Sequence, residues 1–160
     1  NIILAASQAK EMSESVNVIV IPTKTIPQGI SAIINYVPEL DLVENEESMN
    51  EEIKRVRTGQ VTYAVRDTII EEKEIKQGDY MGIGDNGILS VGTDMEKVAF
   101  DMVRNIMNDE LELISIYYGS DVTVDAAELL KEKIEKEYPE CDVELQFGGQ
   151  PIYYYVISAE

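Results

Sequence analysis

The chain has 160 residues, 44% of them hydrophobic, which is enough for one domain with a core of its own. Its 13 basic and 31 acidic residues leave a formal charge of −18, a surface that repels phosphate backbones and anionic lipid and so argues against nucleic-acid partners and membrane insertion. A single cysteine excludes an internal disulfide and no apolar run reaches membrane-spanning length, so the expected compartment is the cytoplasm.

From the N-terminus, Ile2 to Ala5 reads as a buried strand and Ser7 to Ser15 as a short helix. The chain opens on Asn1 without an initiator Met, and the expectation is a fragment of a longer polypeptide. Val16 to Ile21 reads as a second, apolar strand, stopped by Pro22. Pro27 opens a helix whose Ile30, Ile33, Ile34 and Val37 share a face, and Pro38 ends it. Two strands joined by a helix predict an α/β fold with a mainly parallel sheet flanked by helices.

An acidic stretch from Glu39 turns into a helix with Met49, Ile53 and Val56 at core spacing, ending near Gly59. Val61 to Val65 is a third strand, and Ile69-Ile70 with Ile75 read as an exposed excursion. Tyr80 to Ile83 and Ile88 to Val91 flank Gly84-Asp85-Asn86-Gly87, a β-hairpin inserted in the α/β pattern. A sub-lobe boundary is expected near residue 92.

Thr93 and Glu96 have capping-box spacing ahead of a stripe formed by Met95, Val98, Ala99, Met102, Val103 and Ile106. Leu113 to Tyr118 is a strand, and Thr123 caps a helix carrying Val124, Ala127, Leu130 and Ile134, with Lys131 and Glu135 paired on its wet side. Val143 to Phe147 and Ile152 to Ile157 are the last strands, joined through Gly148-Gly149-Gln150-Pro151.

Absences discriminate best among chemistries. With no histidine in the chain, a Ser-His-Asp triad, a Cys-His pair and histidine metal ligands are excluded. Cys141 stands beside Glu140 and Asp142, a setting that raises a thiol pKa. Neither a Walker-type nor a dinucleotide-binding glycine motif occurs. Gly82-Ile83-Gly84 lies inside the predicted hairpin and leads into no helix, as turn glycines do. The acidic residues form helix faces rather than a compact metal-binding motif.

Strand ends supply the candidate binding residues, because the carboxyl ends of strands line the ligand crevice of open α/β sheets. Thr23, Lys24 and Thr25 precede the helix opened by Pro27 and combine hydroxyls, an ammonium and helix N–H groups that suit a phosphate or carboxylate. A helix cap with a surface lysine explains them equally well. Gln28 and Gly29 add an amide and a close backbone approach. Arg66, with Asp67, follows the third strand and offers an anchor for an anion or a partner's carboxylate; a structural ion pair is the alternative. Gly148, Gly149 and Gln150 make a tight connection, and alternation puts Tyr153 and Tyr155 on one face with Tyr154 on the other. The nine tyrosines suit either an interface or an ordinary half-buried sheet.

The segments Asn1 to Ala6, Ile21-Pro22-Thr23-Lys24-Thr25-Ile26-Pro27-Gln28-Gly29, Thr58 to Thr68 and Gly148 to Pro151 together resemble the C-terminal domain of the fatty acid kinase A subunit, within the dihydroxyacetone-kinase-like group. The resemblance covers the whole chain. It implies that ATP and magnesium belong to a separate N-terminal domain and that this region has no cofactor of its own. It also implies a partner, the fatty-acid-binding subunit that presents an acyl carboxylate for phosphorylation to an acyl phosphate, as well as other domains of the same polypeptide. Classical dihydroxyacetone kinases hold substrate through a histidine, and no position here supplies one.

The resulting expectation is an accessory docking domain, inactive alone, with Thr23, Lys24, Arg66 and Gln150 around one crevice or edge. A substrate-binding domain of a small-molecule kinase and a structural or homodimer-forming module are the rival readings.

Overall fold

The computed structural model describes residues 1–70 and 73–160, which form two compact units divided between Val56 and Arg57. Gly92, near the expected boundary, ends an edge strand of the second unit.

The first unit is helical. α1 (Ile2–Met12) replaces the predicted opening strand and absorbs the short helix that was to follow it. Ala5, Ala6, Gln8, Ala9, Lys10 and Glu11 are strong helix formers with no breaker between them, so the isoleucines at the start are carried into the same helix. α2 (Ile26–Ile34) has Pro27 in its first turn, and α3 (Leu42–Arg55) starts at a capping box in which Asp41 Oδ1 accepts from Glu44 N and Asp41 N donates to Glu44 Oε2. The buried residues of α2 are Pro27, Ser31 and Ala32, whereas Ile30, Ile33, Ile34 and Val37, the predicted apolar face, are exposed. Val16 to Ile21 belongs to no strand among the described residues. Apolar, β-branched sequence makes a strand only where another strand completes its ladder, and the elements of this unit are helices.

The second unit is built on β1 (Arg57–Tyr63), β4 (Tyr80–Gly84), β5 (Gly87–Gly92), β6 (Leu113–Tyr118), β7 (Asp142–Phe147) and β8 (Tyr155–Ala159). They form one six-stranded sheet in the order β5-β4-β1-β8-β6-β7. β6 and β7 are parallel, and each of the other four pairings is antiparallel. This overturns the mainly parallel sheet expected from sequence. The two N-terminal strands that were to be parallel do not exist, hairpins supply the β1 side, and the C-terminal strand β8 inserts antiparallel between β1 and β6. Only the β6–helix–β7 crossover keeps the α/β pattern.

α4 (Met95–Ile106) and α5 (Val124–Glu137) pack against the sheet, and the predicted stripes are the buried ones: Val98, Ala99, Met102, Val103 and Ile106 on α4, with Ala127, Leu130 and Ile134 on α5. α4 is capped by Asp94, whose Oδ1 accepts from Lys97 N at 2.9 Å, one residue beyond the predicted Thr93. Thr123 caps α5 as expected, and Lys131 meets Glu135 at 3.6 Å. Met102 lies on Gly59 of β1 and Gly82 of β4; a Cβ at Gly59 would stand 2.7 Å from its sulfur, so glycine is what admits the helix this close.

β2 (Thr68–Ile70) and β3 (Lys73–Ile75) pair antiparallel as a separate two-stranded sheet. Its Ile75 is not an exposed residue of an excursion: it is 1% accessible and packs in a cluster with Ala64 and Ile88. The β4–β5 hairpin forms as predicted, with Asp85-Asn86 as its turn.

Candidate functional site

The end of the sheet where β1, β6 and β7 finish and β8 begins gathers one group of predicted residues. Gly148 N and Gly149 N donate to Tyr118 O at 3.0 and 3.2 Å, and Gln150 Nε2 donates to Tyr117 O at 2.9 Å. Ser120 N donates to Gln150 O at 3.1 Å, Gly119 N to Tyr154 O at 2.8 Å and Tyr154 N to Val61 O at 2.8 Å. The connection from Gly148 to Tyr154 is thus tied on one side to the end of β6 and on the other to β1. The amide of Gln150 serves that connection, so its sequence-predicted binding role has a structural competitor.

Within this connection Ile152 has φ +72°, the one positive-φ non-glycine residue among the described residues. A β-branched side chain in the left-handed region costs of order 1 kcal/mol or more and persists only where surroundings over-determine it. Thr62 supplies one constraint: its hydroxyl donates to Ile152 O at 3.1 Å. The kink also explains why β8 starts at Tyr155 rather than Ile152. The predicted strand alternation of Tyr153, Tyr154 and Tyr155 has no strand to run along, because β8 begins only at the last of them.

Side chains at this end are apolar and aromatic. Phe147 is 66% exposed, Ile152 58%, Tyr63 41% and Tyr153 38%. Tyr154 packs edge-on against Tyr80 and Tyr63, with ring centroids 5.3 and 6.3 Å away. Burial, then the neighbouring Tyr80, Asp121 and Tyr63, push the Tyr154 phenol above its ordinary pKa. Scattered exposed apolar residues are normal on a protein, whereas several gathered at one end of a sheet are a candidate contact surface.

Arg66 and Asp67 lie just beyond the end of β1 and separate in role. Asp67 Oδ1 accepts from Gln77 N at 2.7 Å, and Gly78 N donates to Ala64 O, so Asp67 helps to close the base of the β2–β3 pair. Arg66 is exposed and makes no ion pair among the described residues.

Thr23, Lys24, Thr25, Gln28 and Gly29 lie in the other unit, at the start of α2. Thr25 Oγ1 accepts from Gln28 N at 3.4 Å, and Gln28 Oε1 accepts from Lys24 N at 2.9 Å. This reciprocal arrangement is a helix cap, one of the two readings that the sequence left open. Lys24 is exposed and Thr23 half-buried. Gly29 meets nothing closer than Thr23 Oγ1, 4.0 Å from an added Cβ, so no tight backbone approach requires it.

Sequence reasoning missed Thr62, Gly119, Phe147 and Ile152. Gly119 had a legible signal, a glycine directly after the strand-end pair Tyr117-Tyr118; a Cβ there would fall 2.7 Å from Gln150 O and still closer to Tyr153 O. Ile152 had none.

A separate cavity of about 470 Å³ lies beside the C-terminal ends of α4 and α5, lined by Arg104, Met107, Leu111, Tyr138 and Cys141 among others. Cys141 Sγ donates to Leu111 O at 3.2 Å, and burial followed by Glu112, Asp142 and Glu140 pushes the thiol up, as the acidic sequence context predicts. Among the described residues no three acidic or cysteine side chains group as a metal site, and no helix is long and apolar enough to cross a membrane.

A family model for the FakA-like C-terminal region of fatty acid kinase matches residues 1–160. Protein YloV of Bacillus subtilis (strain 168) is 39% identical over 160 residues, which is 100% of this chain and 29% of that protein. Uncharacterized protein SH1689 of Staphylococcus haemolyticus (strain JCSC1435) is 38% identical over the same span, again 29% of its length. The chain thus spans less than a third of the curated relatives it matches. Among solved structures, the Streptococcus pneumoniae Fatty Acid Kinase (Fak) B3 protein loaded with linoleic acid superposes with a TM-score of 0.50 at 12% identity, over 76% of this chain and 50% of that one. At that identity the likeness is one of fold.

Proposed function

The chain belongs to the FakA-like C-terminal family of fatty acid kinase, and from that premise we propose that it is an accessory domain through which an ATP-dependent acyl kinase engages a separate fatty-acid-binding subunit. In this reading ATP and magnesium are held by another domain of the kinase, and the acyl carboxylate is brought by the partner. This domain holds the partner in place and does no chemistry on the phosphate.

The observation that carries the reading is the strand-end surface formed by Tyr63, Phe147, Ile152 and Tyr153, with the left-handed Ile152 held by Thr62. Tyrosine offers large contact area for few rotors, and a loop already locked loses little entropy on docking. Arg66, exposed beside this surface, suits a carboxylate on the partner. Acidic surface elsewhere would steer a partner with a basic face.

The test is association of the chain with a purified fatty-acid-binding subunit. Tyr153→Ala is expected to weaken binding about tenfold or more, as loss of an interface anchor does, and Arg66→Ala to weaken it less. Lys24→Ala tests the exposed ammonium ahead of α2 in the same way and leaves the cap intact, since the cap uses the Lys24 backbone N–H. Affinity should fall as salt rises from about 0.05 to 0.5 M. Binding untouched by Tyr153→Ala and Arg66→Ala would overturn the docking surface. Saturable binding of a small polyol or keto compound by the chain would favour the substrate-domain alternative.

A further inference from the structure

The six-stranded sheet has two edges, and they are finished differently. At β5, Lys73 Nζ donates to Ile88 O at 2.5 Å, and the β4–β5 ladder shifts register between Gly82 and Ile83. A lysine laid on an edge carbonyl and a break in the ladder both hinder the addition of another strand. β7, at the opposite edge, has neither. It pairs with β6 through six consecutive residues without a shift, and its sequence Asp142-Val143-Glu144-Leu145-Gln146-Phe147 contains no Lys, Pro or Gly. Its outer row of N–H and C=O groups has no strand partner among the described residues.

The side chains of β7 are strictly alternating. Val143, Leu145 and Phe147 stand opposite Ile114, Ile116 and Tyr118, on the face whose Ile114 and Ile116 join the core with α4 and α5; Asp142, Glu144 and Gln146 occupy the other face. Phe147 ends the apolar row with 66% of its surface in water, although its ring lies 5.3 Å from that of Tyr118.

We propose that β7 pairs with β7 of a second copy of this chain, antiparallel about a twofold axis at Leu145, so that one sheet continues through both molecules. The argument is one of register. A twofold axis perpendicular to the sheet keeps the helices of both copies on the same face, and then apolar positions must oppose apolar positions. Two registers that satisfy this pair most of the strand. Centred on Glu144, the pairing sets that carboxylate against its own copy, which is repulsive. Centred on Leu145, it sets Leu145 against Leu145, Val143 against Phe147 and Glu144 against Gln146.

That second register joins an aromatic to a β-branched side chain, the kind of cross-strand pair that stabilises sheets. It also gives each Glu144 carboxylate an amide donor and covers the exposed Phe147. β7 therefore carries its own complement in apolar pattern and hydrogen-bonding side chains, which is why a second copy is the occupant. Opposing this, each copy bears a charge of −18, so the dimer is weak at low salt and screening strengthens it.

This inference stands on the pattern of β7 and not on the docking reading, but Phe147 belongs to both surfaces, so a second copy and the partner would compete for it. Its test is sedimentation equilibrium of the 160-residue chain, wild type against two variants of the exposed Gln146. Gln146→Lys places an ammonium opposite Glu144 twice per dimer and is expected to tighten association about fivefold; Gln146→Glu is expected to weaken it by a similar factor. Raising salt from about 0.05 to 0.5 M should strengthen the wild-type dimer, the opposite of the trend expected for docking a basic partner. In a Cys141→Ser background, Leu145→Cys should oxidise to a disulfide joining that residue to its own copy, and Glu144→Cys should not. A chain that stays monomeric at every concentration overturns the proposal. So does a dimer indifferent to residue 146, or one that cross-links through Glu144→Cys instead. Residue 146 is exposed, so its variants decide the matter even if Leu145→Cys folds poorly.

Discussion

The hydroxyl of Thr62 donates to the carbonyl of Ile152 at 3.1 Å, across 90 positions of sequence, and so joins the end of β1 to the one described non-glycine residue in the left-handed region. Two substitutions separate what this contact does for folding from what it does for docking. Thr62→Val should cost about 1 kcal/mol, the usual worth of one hydrogen bond, and weaken partner binding. Ile152→Gly relieves the positive φ and should leave stability level or raise it by about 1 kcal/mol, yet still weaken binding. Thermal melts run beside affinity measurements would check both; a glycine variant that binds normally would remove Ile152 from the docking surface.

Gly119 and Gly29 should respond in opposite directions to alanine. At Gly119 the added Cβ meets the carbonyls of Gln150 and Tyr153, backbone atoms that cannot rotate away, and a loss of about 2 kcal/mol or more is expected. At Gly29, inside α2 and with open space around it, alanine should stabilise by up to about 1 kcal/mol through helix propensity. Midpoints of chemical denaturation for the two variants give the comparison.

Asn45 holds the turn between α2 and α3 together. Its Oδ1 accepts from Val37 N at 2.8 Å, and its Nδ2 donates to the carbonyls of Val37, Leu40 and Asp41 at 2.9, 3.1 and 3.0 Å. Because the side chain is buried, Asn45→Ala deprives Val37 N and Leu40 O of their partner, while the carbonyls of Val37 and Asp41 keep backbone donors in Leu40 N and Asn45 N, and should destabilise by about 2 kcal/mol. Hydrogen exchange should show the effect at residues 36–45 before it shows anywhere in the six-stranded sheet.

Alkaline pH should destabilise the second unit through Tyr155. This ring is wholly buried, its hydroxyl has no hydrogen-bond partner among the described residues, and burial with a smaller contribution from Glu96 pushes its pKa from 10.0 up to about 12. The unfolded chain releases this proton first. The stability it contributes is therefore complete below pH 10 and is lost as pH climbs toward 12, with a slope of at most about 1.4 kcal/mol per pH unit. Tyr155→Phe should flatten that slope and, by deleting an unpaired buried hydroxyl, cost little at neutral pH. An unchanged slope in the variant, measured by denaturation between pH 9 and 12, would count against this assignment.

Local grammar was reliable where each residue answered to its near neighbours. Thr123 caps α5, a hairpin forms at the Asn86-Gly87 signal with Asp85-Asn86 as its turn, and the stripe of Val98, Ala99, Met102, Val103 and Ile106 is buried. The reading went wrong where an apolar run had to be assigned a partner. Ile2 to Ala5 and Val16 to Ile21 have strand-like composition, yet the first lies in α1 and the second joins no ladder. Their misreading also produced the parallel sheet.

Composition alone determined that this chain carries a large acidic excess, lacks histidine chemistry and has a thiol in a setting that holds its proton; these are properties of residue identity and immediate neighbours. Its quoted motifs identified the family, because they are linear strings. Only the tertiary structure decided that the last strand inserts between β1 and β6, that Thr62 holds Ile152, and that β7 is left as an open edge. Each of those depends on which distant backbone groups complete one another's hydrogen bonds, a long-range pairing that no short window of sequence contains.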